Sequence, residues 1–317
     1  MKLSAVLPEF LDYLEIEKNR SVRTRENYLF YVERFLGWAK DPTPGEVTDG
    51  LIREYRLWLH RLTDATGEPL KKNTQNYHLI ALRSFLKYLA RRDIKSLSPE
   101  KIELGKTEER QVDFLEATDL ARLLETPLKD VQGIVVAKPS PVMLRDKAIL
   151  ELLFSTGLRV SELAGLRIEQ VNLARDEFSV RGKGKKVRVV FLSHQAKYWL
   201  GEYVKRRGDV SPFLFIAHDR AKNGRDDTTG ITARTVQRVV ERYARAAGIT
   251  KKITPHTLRH TFATDLLMNG ADIRSVQSLL GHASIMTTQI YTHVTNQHLR
   301  EVHEAFHAKR RGGEKKA

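Results

Sequence analysis

Between Ile94 and Val112 the chain loses its helical period and gains charge, in the run IKSLSPEKIELGKTEERQV. A polar stretch of this kind, broken by Pro99 and Gly105, is poorly suited to the inside of a core, so it reads as an interdomain linker. The 317 residues are then expected to form two folded parts rather than one. The division predicts a helical domain at 1–95, a linker at 96–112, a second domain at 113–295, and a terminal helix with a basic tail at 296–317.

Ahead of the break, four helices are expected. Pro8 to Asn19 repeats apolar residues at Phe10, Leu11, Leu14 and Ile16. Ser21 reads as the N-cap of a helix running to about Lys40, with Tyr28, Tyr31, Val32, Phe35 and Leu36 inward. Thr48 caps a third helix carrying Leu51, Ile52, Tyr55, Leu59 and Leu62. The fourth, Lys72 to Arg92, is read with Tyr77, Ile80, Ala81, Phe85, Tyr88 and Leu89 inward. Four such helices suffice for one small core.

After the break the pattern is mostly helical, with a single β signal. Glu116-Ala-Thr118 begins a helix, and Pro127 to Pro141 reads as a loop. Leu144 to Thr156 is a strongly apolar helix that Gly157 ends. In EFSVRGKGKKVRVVFL, Phe178, Val180, Val187, Val189 and Phe191 alternate with polar residues and GKGK supplies a turn, which predicts a hairpin with Lys183 at its tip. Residues 220–230 read as a polar loop. Helices follow at Ser193–Arg206, Thr232–Ala247, Thr254–Asn269, Asp272–Leu280 and from Ser284 onward, the last carrying Tyr291. Asn296 to Ala308 reads as a short amphipathic helix whose Leu299, Val302 and Phe306 stripe would need a partner surface. The expected fold class is thus mainly α, with a small antiparallel sheet in the second domain.

Charge narrows the partner. The net charge is +15, and it is uneven: residues 1–110 hold 20 Lys/Arg against 17 Asp/Glu, whereas residues 111–317 hold 34 against 22. A surplus of this size favours a polyanion, most often nucleic acid, with a merely soluble basic protein as the bland alternative. Two polar clusters open helices in the first domain, Arg20, Arg23 and Arg25 in one and Lys71, Lys72, Asn73, Gln75 and Asn76, followed by His78, in the other. Such helix starts suit phosphate and base-edge contacts, and they also suit a solvated face. No apolar run approaches the length of a membrane span, and MKLSAVLPEFLDYLEIEKNR is no secretory leader. Cysteine is absent, which excludes disulfides and Cys-ligated metal and permits a reducing cytoplasm.

The chemistry is concentrated late in the chain. His256 and His260 have a zinc-compatible spacing, but position 257 is Thr where a zinc hydrolase would carry Glu, and no metal or cofactor is expected. No carboxylate cluster suggests a two-metal nuclease, and no GxSxG turn suggests a serine hydrolase. Phosphodiester chemistry fits better. Two guanidiniums stabilise the charge that develops on a phosphoryl group, and Arg159 and Arg259 are the candidates, with Glu162 three residues along to hold Arg159. A tyrosine such as Tyr291 can form a covalent ester once its proton is removed or shared. A lysine on a hairpin, Lys183, can protonate the leaving 5′ oxygen, and His256 and His282 can bond the phosphate or move the proton.

In this order those residues resemble the tyrosine recombinases of the phage-integrase and Xer group, over nearly the whole chain. TGLRVSEL resembles the first arginine box, with Arg159 and the supporting Glu162; GKG resembles the hairpin lysine motif at Lys183; HTLRHTFAT resembles the H-x-x-R box, His256 and Arg259; LLGHAS resembles the third box at His282; TTQIYTHV resembles the nucleophile box at Tyr291. The resemblance implies a SAM-like core-binding domain and a catalytic domain clamping double-stranded DNA. It implies a homo-tetramer on two duplexes, with the helix of Leu299, Val302 and Phe306 docking on a neighbouring protomer. Lys185 and Lys186 join the DNA-contacting set. The implied reaction is site-specific strand exchange through a 3′-phosphotyrosyl link and a Holliday junction, in chromosome dimer resolution, with a second recombinase or accessory protein as a further partner. Mobile-element integration or excision, a type IB topoisomerase-like enzyme and a non-catalytic DNA-binding factor are the alternatives. The loops at 127–141 and 220–230 look longer than in compact Xer proteins, which leaves the subfamily open.

Overall fold

A computed structural model of the chain describes residues 1–64, 67–107, 113–182, 186–218 and 229–281. The chain forms two compact units, Met1–Glu109 and Arg110–Ala317.

The first unit is helical. α1 (Leu3–Asp12) passes into a single π-helical turn at Tyr13–Glu17. α1 begins well before Pro8, because Ser4 is held by Asp41 through both its N–H and its hydroxyl, and the Leu3 N–H bonds the Pro42 carbonyl. Pro8 leaves the Ser4 carbonyl without its helical N–H partner, and Ser4 is exposed, so water can take that bond. Ile16 lies off the inner face and is exposed. α2 (Val22–Trp38) and α3 (Asp49–Arg61) start at Ser21 and Thr48, whose hydroxyls accept the Thr24 and Leu51 N–H groups. α4 (Lys72–Arg91) packs on α2. Its buried residues are His78, Leu79, Ala81, Leu82, Phe85, Leu86, Tyr88 and Leu89, so Ala81, Phe85, Tyr88 and Leu89 lie inward as read from sequence, whereas Tyr77 and Ile80 face out. His78 is buried rather than presented outward: its Nδ1 bonds the Thr74 carbonyl and its Nε2 lies 3.4 Å from Arg34. Burial lowers its pKa, partly opposed by the Thr74 bond. The polar stretch after α4 is folded onto this unit: Ile102 is fully buried in its core, and Asn76 holds both the N–H and the C=O of Gly105.

The second unit is built around α6 (Pro141–Thr156), which follows α5 (Ala117–Glu125). Residues 144–153 of α6 are buried all round, including the four charged residues Arg145, Asp146, Lys147 and Glu151. Its charges are buried as pairs: Lys147 bonds Glu151 at 2.6 Å and the Leu124 carbonyl at 2.8 Å. α7 (Val160–Ala164) follows the Gly157 turn. The strands β1 (Glu177–Arg181) and β2 (Val187–Phe191) form an antiparallel hairpin with Phe178 opposite Val190 and Val180 opposite Arg188. β2 therefore turns Arg188 and Val190 inward and leaves Val187, Val189 and Phe191 exposed, the reverse of the phase expected from its apolar residues. α8 (His194–Arg206) packs along α6, and α9 (Ala233–Ala246) lies beside α7. α10 (Pro255–Met268) and α11 (Ile273–Leu280) complete the described elements, with Ala263, Leu267, Val276 and Leu280 as a small shared core. The Pro127–Pro141 stretch carries a narrow arm bridged at Lys129 and Val135, and the segment near Phe213 pairs only through isolated bridges. No described helix is long and apolar enough to cross a membrane.

Candidate active site

The site grows from two glycine turns. α6 ends at Gly157, whose φ of +58° is left-handed and whose missing Cβ would stand 2.5 Å from the Phe262 ring and 3.1 Å from Leu280. Only glycine allows that approach. The turn delivers Arg159 as the residue capping α7. α11 ends at Gly281, φ +63°, in the same conformation. α10 starts at Thr254, whose hydroxyl accepts the Thr257 N–H, with Pro255 in the first turn. His256 is therefore exposed at the start of α10, while Arg259, one turn on, is buried at 4% exposure.

Three arginines converge on the C-terminus of α11. Arg188 Nε donates to the Leu279 carbonyl at 3.0 Å, Arg259 to the Leu280 carbonyl at 2.5 Å, and Arg159 Nη2 to the Gly281 carbonyl at 3.2 Å. Arg259 also holds the Gly157 carbonyl. These successive carbonyls are the negative end of a helix, where cations are favoured. One carboxylate serves the group. Glu162 accepts from the Arg159 N–H at 2.9 Å and from Arg159 Nη1 at 2.8 Å, and it takes Arg188 bidentately at 3.0 and 2.7 Å. Burial would raise the Glu162 pKa, but the Arg188 and Arg159 hydrogen bonds hold it down at about 2. Two of the three guanidiniums, Arg159 and Arg188, share one carboxylate and Arg259 is held by carbonyls, so the cluster carries surplus positive charge with its donors fixed. That is a site prepared for an anion. Arg159 keeps 27% of its side chain exposed and Arg188 only 9%.

Of the residues predicted from sequence, Arg159, Glu162 and Arg259 are brought together, and His256 opens the helix that carries Arg259. Lys183, Lys185, His282 and Tyr291 lie outside the described residues, as do Leu299, Val302 and Phe306 and most of the 220–230 loop. Gly182 and Gly281, the described neighbours of Lys183 and His282, both border the arginine cluster: a Cβ on Gly182 would meet Glu162 at 3.2 Å, and one on Gly281 would meet Arg188 at 2.9 Å. Lys186 is exposed beside the hairpin turn, where its carbonyl accepts the Gly182 N–H at 2.7 Å. Arg188 was not anticipated. Its signal in the sequence was a basic residue inside an otherwise apolar strand, VRVVF, with an acid in the first arginine box needing a second cation.

In the first unit, Arg20, Arg23, Lys71, Lys72 and Asn73 are exposed. Arg23 pairs with Glu26 at 3.2 Å, and Arg25 lies 3.2 Å from Glu15. Gln75 donates to the Leu70 carbonyl at 2.6 Å, and Asn76 binds Gly105, so both carboxamides are engaged within the unit. Among the described residues no group of three or more His, Asp or Glu is placed to hold a metal ion.

Comparison with known proteins gives the family of the chain. The sequence pattern described as the Phage integrase family matches residues 113–298, and that of the Phage integrase, N-terminal SAM-like domain matches residues 7–93. The chain is 37% identical over 310 residues to the tyrosine recombinase XerC of Thermodesulfovibrio yellowstonii, covering 95% of each chain. It is 38% identical over 307 residues to the tyrosine recombinase XerD of Chlorobaculum tepidum, again covering 95% of each. In fold it is similar to the XerH site-specific recombinase bound to a palindromic difH substrate, with a TM-score of 0.69 at 23% identity, over 94% of this chain and 83% of that one.

Proposed function

The chain belongs to the phage integrase family, and from that premise we propose the residue roles, assembly and cellular task of a site-specific tyrosine recombinase of the Xer type, an enzyme that breaks and rejoins DNA. The observation that carries the reading is the arginine cluster at the end of α11. Arg159 and Arg259 are immobilised by carbonyls and by Glu162 before any substrate arrives, so little reorganisation is needed when phosphoryl charge develops. Tyr291 Oη attacks the scissile phosphorus. The new O–P bond replaces the bond to the 5′ oxygen, Lys183 gives that oxygen its proton, and His256 and His282 bond the phosphate or take the tyrosine proton. The products are a 3′-phosphotyrosyl link and a free 5′ hydroxyl. Attack by the 5′ hydroxyl of a second duplex reverses the step, through a Holliday junction and without ATP, because one phosphodiester is exchanged for another.

DNA is held by a core-binding domain at 1–95 and a catalytic domain at 113–295. Arg20, Arg23, Lys71, Lys72 and Asn73 supply phosphate contacts from the first, and Lys185 and Lys186 from the hairpin of the second. Four protomers act on two duplexes, joined through the helix bearing Leu299, Val302 and Phe306. Chromosome dimer resolution at the nucleoid, in the cytoplasm, is the task that fits relatives named XerC and XerD. A second recombinase is the expected partner. A nicked suicide duplex carrying candidate sites from the source genome, incubated in EDTA, tests the chemistry. The wild type should give a covalent protein–DNA band and Tyr291→Phe none; a band from Tyr291→Phe would remove Tyr291 as the nucleophile.

A further inference from the structure

We propose that Arg188 is a positioning residue for strand cleavage, one that keeps Arg159 free to attract the phosphate and sets the approach of the two chain segments leading into Lys183 and His282. The proposal rests on the cleavage reading above. It starts from the donors of a single guanidinium. Nη1 and Nη2 take both oxygens of Glu162, and Nε takes the Leu279 carbonyl, so Arg188 ties β2 to the start of α7 and to the end of α11. Bidentate pairing of this kind fixes orientation as well as distance.

The electrostatic consequence falls on Arg159. A carboxylate paired with one guanidinium cancels most of its field. At Glu162 the carboxylate is shared, and the more buried partner, Arg188, takes both oxygens. Arg159 then keeps its geometry from Glu162 while retaining charge for an incoming anion. The steric consequence falls on the neighbours. Gly281 would place a Cβ 2.9 Å from Arg188 Cδ, and Gly182 would place one 3.3 Å from Arg188 Nη1. Residues 182 and 281 immediately precede Lys183 and His282. Arg188 thus fills the space beside both Gly182 and Gly281. Because it is nearly buried and its donors are directed at protein groups, it acts through Arg159 and these segments and not by touching DNA.

The test uses the full-length protein and a nicked suicide duplex on which the wild type forms its adduct. Single-turnover adduct formation, DNA affinity and thermal unfolding are measured for Arg188→Gln, Arg188→Lys, Glu162→Gln and the double variant Glu162→Gln/Arg188→Gln. Arg188→Gln should form adduct roughly 100-fold more slowly with DNA affinity within about 3-fold of wild type. Arg188→Lys, which keeps the charge and loses the fork, should recover roughly 10-fold of that loss. The double variant should be no slower than the worse single variant, since both act on Arg159. Adduct formation by Arg188→Gln within about 3-fold of wild type, equal losses of affinity and rate, or additive losses in the double variant would each overturn the assignment. Should Arg188→Gln fail to fold, the Lys variant and the double variant, which leaves no unpaired buried acid, decide the same question. A wild type that forms no adduct removes the cleavage reading and this role with it; an active wild type beside an unaffected Arg188→Gln removes only this role.

Discussion

Two carboxylates in the second unit, Glu162 and Asp146, each gather two arginines, yet they do different things. Asp146 is fully buried on α6. It accepts from Arg145 at 2.9 and 2.8 Å, from Arg242 of α9, and from the Tyr243 hydroxyl at 3.1 Å. Arg145 spends a further donor on the Ile216 carbonyl at 3.0 Å. Burial, and then the nearby Asp146 charge, push the Tyr243 hydroxyl up to about 12, so it stays a neutral donor. This network joins helix to helix inside the core. Glu162 stands instead where two glycine turns meet, and its arginines end on carbonyls of chain that leads into proposed catalytic residues. An acid flanked by arginines is therefore no sign of chemistry by itself. What distinguishes the site is that its cations are anchored on the carbonyls of turns, where a third arginine, Arg259, joins the two that Glu162 holds.

The largest effect that sharpens this contrast is on stability. Replacing Asp146 with Ala strands the buried Arg145 guanidinium, at a cost of about 3–5 kcal/mol. Urea unfolding should show that loss, while the folded fraction still forms adduct at the wild-type rate per molecule. A loss of cleavage in excess of the loss of fold would make Asp146 part of the site and erase the distinction drawn above.

Next is the response to acid. The folded Glu162 pKa of about 2 lies below its ordinary value of 4.5. A depressed carboxylate contributes stability that is complete above the unfolded pKa and disappears as pH falls through the folded one, so the window is from about 4.5 down to about 2. The full contribution is at most about 3 kcal/mol. Urea midpoints of wild type should fall with pH across this window more steeply than those of Glu162→Gln, with the two curves parallel above it. Equal slopes would mean that the arginines do not hold Glu162 as the geometry indicates.

The same pair of regions explains what could be read in advance. Caps were legible, because Ser21, Thr48 and Thr254 act within three residues of themselves, and Gly157 marks a turn by its own backbone. Arg159, Glu162 and Arg259 were legible as a set because each sits in a compact local motif. The orientation of β2 was not. In VRVVF the hydrophobic count favours turning Val187, Val189 and Phe191 inward, and a strand offers only two phases. The phase is decided by Glu162, 26 residues away, which draws Arg188 into the interior. Ile102 escaped for a similar reason, being one apolar residue in a charged run whose burial depends on a core already assembled by α1–α4. Long-range partners, rather than propensity, set both positions.

The smallest effect probes the edge of the Asp146 network. Arg242 bonds Asp146 but keeps 56% of its side chain exposed. Solvent and side-chain entropy discount an ion pair of that kind, and Asp146 retains Arg145 and Tyr243 when it is lost. Arg242→Ala should therefore cost about 0.5–1 kcal/mol in urea unfolding, a cost that shrinks as salt is raised, and should leave adduct formation unchanged. Its counterpart, Arg188→Gln, breaks a fork that is nearly buried and should show the opposite balance, a large loss of cleavage rate with little loss of DNA affinity. If Arg242→Ala instead slowed cleavage as Arg188→Gln is expected to, the two acid–arginine groups would be one coupled network running through the catalytic unit, because exposure alone would then fail to separate a peripheral arginine from a positioning one.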